Sequence, residues 1–133
     1  MRVRVTHTIG DLADDLAHIA RTARTDMVGV VRDGLRAGNT LAKDSAKRTA
    51  GAHGKHYHRA FSYEMHRSLF GRASDHISGE YGPDIGKRQG RMKFERGSRN
   101  QPPHLDLAKS ADIIGGSFAQ EVRALPDKWF WRG

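Results

Sequence analysis

Six cations, Lys87, Arg88, Arg91, Lys93, Arg96 and Arg99, crowd one short stretch and are answered within it only by Glu95. Ammonium and guanidinium groups at this density suit phosphates, either on a DNA-binding surface or along a channel that DNA crosses. The alternative is a loop that is simply solvated or paired with a partner. No base-reading motif accompanies the cations, and no aromatic residues interleave them, so sequence-specific readout is not expected. His53, His56 and His58, with His66 or Glu64 nearby, form the other group with chemical potential. Zinc accepts such nitrogen and oxygen ligands. Their spacing matches no strong metal pattern, and glycine-rich flanks leave no evident groups to orient the rings, so no bound metal is expected. A histidine-dependent nuclease would need a base, an acid and an oxyanion stabiliser brought together. No catalytic residue and no cofactor site is assigned.

Trp129, Phe130 and Trp131 close the chain with more aromatic surface than a small core readily hides. Such residues fold back on their own domain or anchor in a neighbouring subunit. Tyr57, Phe61, Tyr63 and Met65 alternate with polar residues and are expected in the core.

Composition bounds these readings. The 133 residues fit one domain, and 37% hydrophobic content allows a core of modest size. The net charge of +8 is uneven, at +3 over residues 1–50, +5 over 51–100 and zero over 101–133. The excess therefore centres on the cation-rich stretch and favours polyanionic partners. Absence of cysteine excludes disulfides and thiol chemistry. No apolar run approaches a membrane span, and MRVRVTH lacks the apolar segment of a signal peptide. The expectation is a soluble protein made in the cytosol, with no membrane partner.

The positioning elements follow from periodicity. Arg2–His7 alternates as a half-buried strand. Leu12, Leu16, Ile19 and Ala23 predict a first helix over about Asp11–Arg24. Thr25-Asp26 offers a cap for a second helix, with Val28, Val31, Leu35, Ala42 and Ala46 as its stripe, reaching about Arg48. Gly29, Gly34 and Gly38 each lower its propensity by roughly 1 kcal/mol, and can let another element approach closely. Strands are predicted over Tyr57–His66, His76–Tyr81 and Arg91–Arg96, the last two framing a basic hairpin. Leu107, Ala111, Ile114, Phe118, Val122 and Leu125 form the stripe of a C-terminal helix that Pro126 is expected to stop. The order β-α-α-β-β-β-α predicts an α+β fold, with helices on one face of a small antiparallel sheet. Residues 1–126 form the domain and 127–133 an aromatic tail.

The run KFERGSRNQPPHLDL, residues 93–107, joins the basic segment to the last helix. Gly97 and Ser98 supply a turn, and Pro102 and Pro103 hold the chain extended before the helix. This run, taken with LAKDSAKRTA, HYHRAFSYEM and ISGEYGPD in that order, resembles the tail-component family of long-tailed bacteriophages, the small neck or tail-completion proteins. That family has an acidic-aromatic-Gly-Ser turn at a strand end, followed by a Pro-Pro-His step into the last helix. Here these are Glu95, Arg96, Gly97 and Ser98, with Arg96 where an aromatic is common, then Asn100, Pro102, Pro103 and His104. Glu80-Tyr81-Gly82-Pro83-Asp84 looks like the family's second strand end. Ala50-Gly51-Ala52-His53-Gly54 replaces the apolar-Pro-x-x-Thr-Gly segment that often follows the long helix.

The resemblance spans roughly Leu12 to Phe130. It implies a non-enzymatic virion protein at the head–tail junction. The subunit would form a ring, commonly a hexamer, between the head-closure or connector protein and the tail-tube or tail-terminator protein. Double-stranded DNA would pass through without sequence readout. Lys87, Arg88, Arg91 and Lys93 would face that DNA or the adjacent ring. Arg96, Arg99, Trp129, Phe130 and Trp131 would contact neighbouring subunits. The competing classes are a free-standing basic nucleic-acid-binding module and the histidine-dependent nuclease.

Overall fold

The computed structural model describes residues 9–67, 77–99 and 102–130. The fold is α+β. A long helix, α1 (Ile9–Thr49), leads through two short 3-10 turns (Ala52–Gly54 and Tyr57–Ala60) into a hairpin of β1 (Phe61–Arg67) and β2 (Ile77–Pro83). An irregular basic loop follows, and then α2 (Asp106–Phe130). The expected strand Arg2–His7 and the 68–76 connection lie outside the described residues.

The two predicted N-terminal helices are one. Thr25 and Asp26, the expected cap, are both engaged otherwise. The Thr25 hydroxyl donates back to the Arg21 carbonyl at 3.3 Å, a bond made inside a continuous helix. The Asp26 carboxylate accepts from Lys128 and Trp129 of α2. Forty-one residues at 1.5 Å each make α1 about 60 Å long. α2 runs antiparallel to it, since Asp106 meets Ser45 while Trp129 meets Asp26. Beyond that meeting point the first turns of α1 extend past the end of α2.

Pro126 does not stop α2, which continues to Phe130. A proline inside a helix costs roughly 3 kcal/mol. The contacts of Lys128 and Trp129 with α1, made only if the last turn is helical, offset that cost. The expected tail boundary at residue 127 is therefore helix interior, and Trp131 lies outside the described residues.

β1 and β2 pair antiparallel, with Tyr63 opposite Tyr81 and Glu64 opposite Glu80. Tyr57–Ala60, expected at the start of the strand, forms a 3-10 turn. Arg91–Arg96 is not a strand but a series of turns, so the sheet among the described residues has two strands. Phe94 explains why: its ring leaves the hairpin and enters the core, and its backbone carbonyl accepts from His104. The hairpin and α2 both pack on α1, where Gly38 admits the hairpin and Gly34 admits α2. A Cβ on Gly38 would stand 2.6 Å from the Tyr81 ring, and one on Gly34 would stand 2.9 Å from Phe118.

One buried cluster lies at the end of α1, and Val28, Leu35 and Leu125 are buried along the helix pair. In the cluster, Ala42, Ala46 and Ala50 pack with Tyr57, Phe61 and Phe94, and Tyr81 and Leu107 close it. Tyr57 meets Phe61 and Phe94 edge to face, at ring-centre distances of 5.1 and 4.9 Å. Elsewhere the burial expected from the helical stripes is uneven. Leu35 is buried, and Ile19, Val31, Ile114 and Phe118 are half-buried, but Leu16 is 52% exposed on the overhang.

Candidate functional site

The segment from Phe94 to Ser110 is a structural joint. Glu95 caps α2: its carboxylate accepts from the backbone N–H groups of Leu107 and Ala108 at 2.8 and 3.0 Å, where the helix dipole favours negative charge. Gly97 adopts φ 77°, as the turn requires. The chain then returns, and the N–H groups of His104 and Leu105 donate to the carbonyls of Phe94 and Glu95. The His104 ring stacks on Phe94, 5.0 Å centre to centre and 4° from parallel. Leu105 is held at φ 56° to make this return, a conformation that costs a side-chain-bearing residue about 1 kcal/mol or more. Pro102 and Pro103 are exposed and lie in no helix or strand, and Ser98 is exposed. Asn100 lies outside the described residues.

Asp106 locks the joint to α1. Its carboxylate is fully buried and accepts from Ser45 at 2.6 Å and from Thr49 at 2.9 and 3.1 Å. His104 Nδ1 lies 4.0 Å away. Sequence reasoning missed these three residues, although Ser45 and Thr49 are four apart and share a helical face. Ser110 joins the same seam, its hydroxyl 2.8 Å from that of Tyr81. Tyr57 carries a buried hydroxyl without a partner among the described residues. Burial, then the Asp106 and Glu95 carboxylates, pushes its ionisation up to about 12.

Lys87, Arg88, Arg91 and Lys93 are all exposed. They do not sit on a projecting hairpin as expected, but on a loop held down against the 3-10 turns. Gln89 is the clasp. Its side-chain carbonyl accepts from His56 N at 2.7 Å, and its amide donates to the His53 carbonyl at 2.8 Å. These bonds hold Gln89 itself at φ 62°. Gly90 beside it is irreplaceable by shape, because a Cβ there would run into the Asp84 carbonyl. Arg96 and Arg99 are exposed on the following turns.

His53, His56 and His58 do not converge as ligands. His53 is exposed, while His56 and His58 are half-buried among cations. Desolvation holds His56 below its ordinary range, followed by Arg88, Lys55, Arg59 and His58. His58 is lowered likewise by desolvation, then by Lys47, Arg59 and Lys43. A different trio is closer: Glu64, His66 and Glu80 on the outer hairpin face have donor atoms within 4.8 Å of one another. All three are exposed, with His66 Nε2 3.9 Å from Glu80.

At the far end, the Trp129 indole N–H donates to Asp26 at 2.8 Å, with Lys128 on the other carboxylate oxygen at 3.1 Å. Trp129 thus folds back on its own chain, whereas Phe130 is 58% exposed. Two apolar clefts run along the helix pair. One, of about 370 Å³, lies between Val31, Leu35, Gly79, Ile114 and Phe118. The other, of about 220 Å³, lies between Met27, Val30, Val122, Leu125 and Trp129. Among the described residues no helix is long and apolar enough to cross a membrane. No family model, curated protein or solved structure matches the chain.

Proposed function

We propose that this chain is a structural subunit of the head–tail junction of a long-tailed bacteriophage. It assembles as a ring, commonly a hexamer, between the head connector and the tail tube, and DNA passes through. The observation that carries this reading is the incomplete helix pair. α1 and α2 pack along one another yet leave Leu16 (52%), Ile113 (63%), Val122 (43%) and Phe130 (58%) open to solvent, beside two apolar clefts. Aromatic and aliphatic groups in such a setting contribute most strongly when a second protein covers them. A buried cluster at one end and a partly uncovered helical arm at the other suit a subunit whose surfaces are completed by neighbours. The joint built from Glu95, His104 and Asp106 holds the two helices in register, and a ring under mechanical stress needs that rigidity. Its residues fall within the stretch that resembles the phage neck proteins. The role is mechanical rather than catalytic.

The test is native mass measurement of the full chain, alone and with candidate connector and tail-tube proteins, followed by imaging of the particle. A closed multimer at the junction is expected. A monomer under all these conditions that binds DNA alone would replace this reading with a free-standing basic module, which the exposed cations also favour. Hydrolysis of DNA that stops with a chelator would replace it with the nuclease.

A further inference from the structure

We infer that the end of the molecule where α1 finishes carries one continuous surface for the phosphates of duplex DNA, formed by Lys43, Lys47, Lys55, Arg59 and Arg88. The inference rests on the ring reading for the identity of the polyanion and deepens it, because it moves the contact from a single loop to three segments of chain.

Lys43 and Lys47 are four residues apart and share one face of α1. After Gly51 turns the chain, Tyr57 is driven fully into the core, and its neighbours Lys55 and Arg59 remain outside. The Gln89 clasp then draws Arg88 onto the same turns, through bonds of 2.7 and 2.8 Å to the backbone of His56 and His53. His56 and His58 lie between the cations and respond to them: Arg88, Lys55 and Arg59 all act on His56, and Lys47, Arg59 and Lys43 on His58. Sequence separation hides this cluster, since Lys43 and Arg88 stand in different halves of the chain.

None of the five cations has a carboxylate within 4.0 Å among the described residues. Uncompensated like charges gathered on one rigid surface repel each other, and phosphates remove that repulsion while releasing counterions. No recognition helix or aromatic platform stands among them, so binding depends on charge and salt and not on base sequence.

The experiment measures binding of the full chain to labelled duplexes of unrelated sequence, by fluorescence anisotropy over a range of salt concentrations. The patch variant is Lys55→Glu/Arg59→Glu/Arg88→Glu. The control, Arg21→Glu/Arg32→Glu/Arg123→Glu, makes the same change in net charge at exposed positions elsewhere. Circular dichroism establishes that both fold. The patch variant is expected to lose ten-fold or more in affinity and about three units of the log–log salt slope, one for each phosphate contact, with the control near wild type. Equal losses in both variants, or no binding by wild type even at low salt, would overturn the surface and leave the ring reading standing. Patch-dependent binding by a chain that stays monomeric with its partners would support the surface and remove the ring.

Discussion

Asp106 accepts a 2.6 Å hydrogen bond from Ser45, 61 residues earlier in the chain, and with it the first turn of α2 is fixed to the last turns of α1. The carboxylate has no solvent exposure, so Ser45 and Thr49 replace the water it gives up. Hydrogen bonds to a charged group contribute about 1.5–3 kcal/mol each, and orphaning a buried donor adds to the loss. Asp106→Ala is expected to destabilise the fold by about 3 kcal/mol and Ser45→Ala by about 1–2 kcal/mol, read from urea unfolding midpoints. In the double variant the two losses should fall short of adding. Full additivity would show that the pair is not energetically coupled.

Tyr57 tests the opposite case. Its ring fills the core, but its hydroxyl is buried without a partner among the described residues. Tyr57→Phe keeps the edge-to-face contacts with Phe61 and Phe94 and deletes only the oxygen. It should leave stability unchanged or raise it by about 1 kcal/mol, whereas Tyr57→Ala should cost about 3–5 kcal/mol. A loss above about 1 kcal/mol in the Phe variant would reveal a bound water or other partner on the hydroxyl.

Two glycines of α1 should behave in opposite ways. A Cβ on Gly29 would meet no atom within 4 Å, while one on Gly38 would stand 2.6 Å from the Tyr81 ring. Gly29→Ala should stabilise the helix by up to about 1 kcal/mol through propensity alone. Gly38→Ala should cost about 1–3 kcal/mol, because the ring must move and it is tied to Ser110. Thermal unfolding of the two single variants checks the sign of each.

Histidine protonation sets a pH dependence. His56 and His58 are held below their ordinary range in the folded chain by desolvation and by neighbouring cations. The unfolded chain therefore binds protons first as pH falls. Stability should be undiminished above the ordinary histidine value of about 6.5, and should decline as pH drops through that value toward the lowered folded ones. Replacing both with Asn should flatten the part of this slope that they cause. Denaturant midpoints measured across the range give the slope directly, and an unchanged slope would assign it to other groups.

Trp129 and Phe130 separate folding from assembly. Trp129 is half-buried on α1 and bonded to Asp26, while Phe130 is exposed. Trp129→Ala should lower the stability of the folded chain itself by about 2–3 kcal/mol. Phe130→Ala should leave unfolding of the single chain within about 0.5 kcal/mol of wild type and, in the proposed ring, weaken multimer formation in native mass spectra. Normal assembly by the Phe130 variant would move the proposed contact between subunits away from this residue.

Local chemistry was legible in the sequence wherever it acts over a few residues. The apolar stripes of both helices apart from the exposed Leu16, Ala111 and Val122, the alternation in β1 and β2, the positive φ of Gly97 and the exposure of the basic loop all follow from side-chain type and period. The breaks were not legible. Thr25-Asp26 has the residues of a cap, but those groups find better partners, one in the preceding turn and one across the bundle on Trp129. Pro126 has the form of a stop, but the contacts beyond it hold the helix on. Phe94 alternates as a strand residue would, yet its ring is claimed by Tyr57 and His104 from elsewhere in the chain. Sequence alone thus determined which residues are apolar, which are charged and how each repeats along the chain. Only the tertiary structure decided which distant groups meet: Ser45 with Asp106, Gln89 with His56, and Trp129 with Asp26. The reason is that a hydrogen bond or a charge contact depends on separation in space, and the packing of α1 against α2 and the hairpin sets those separations.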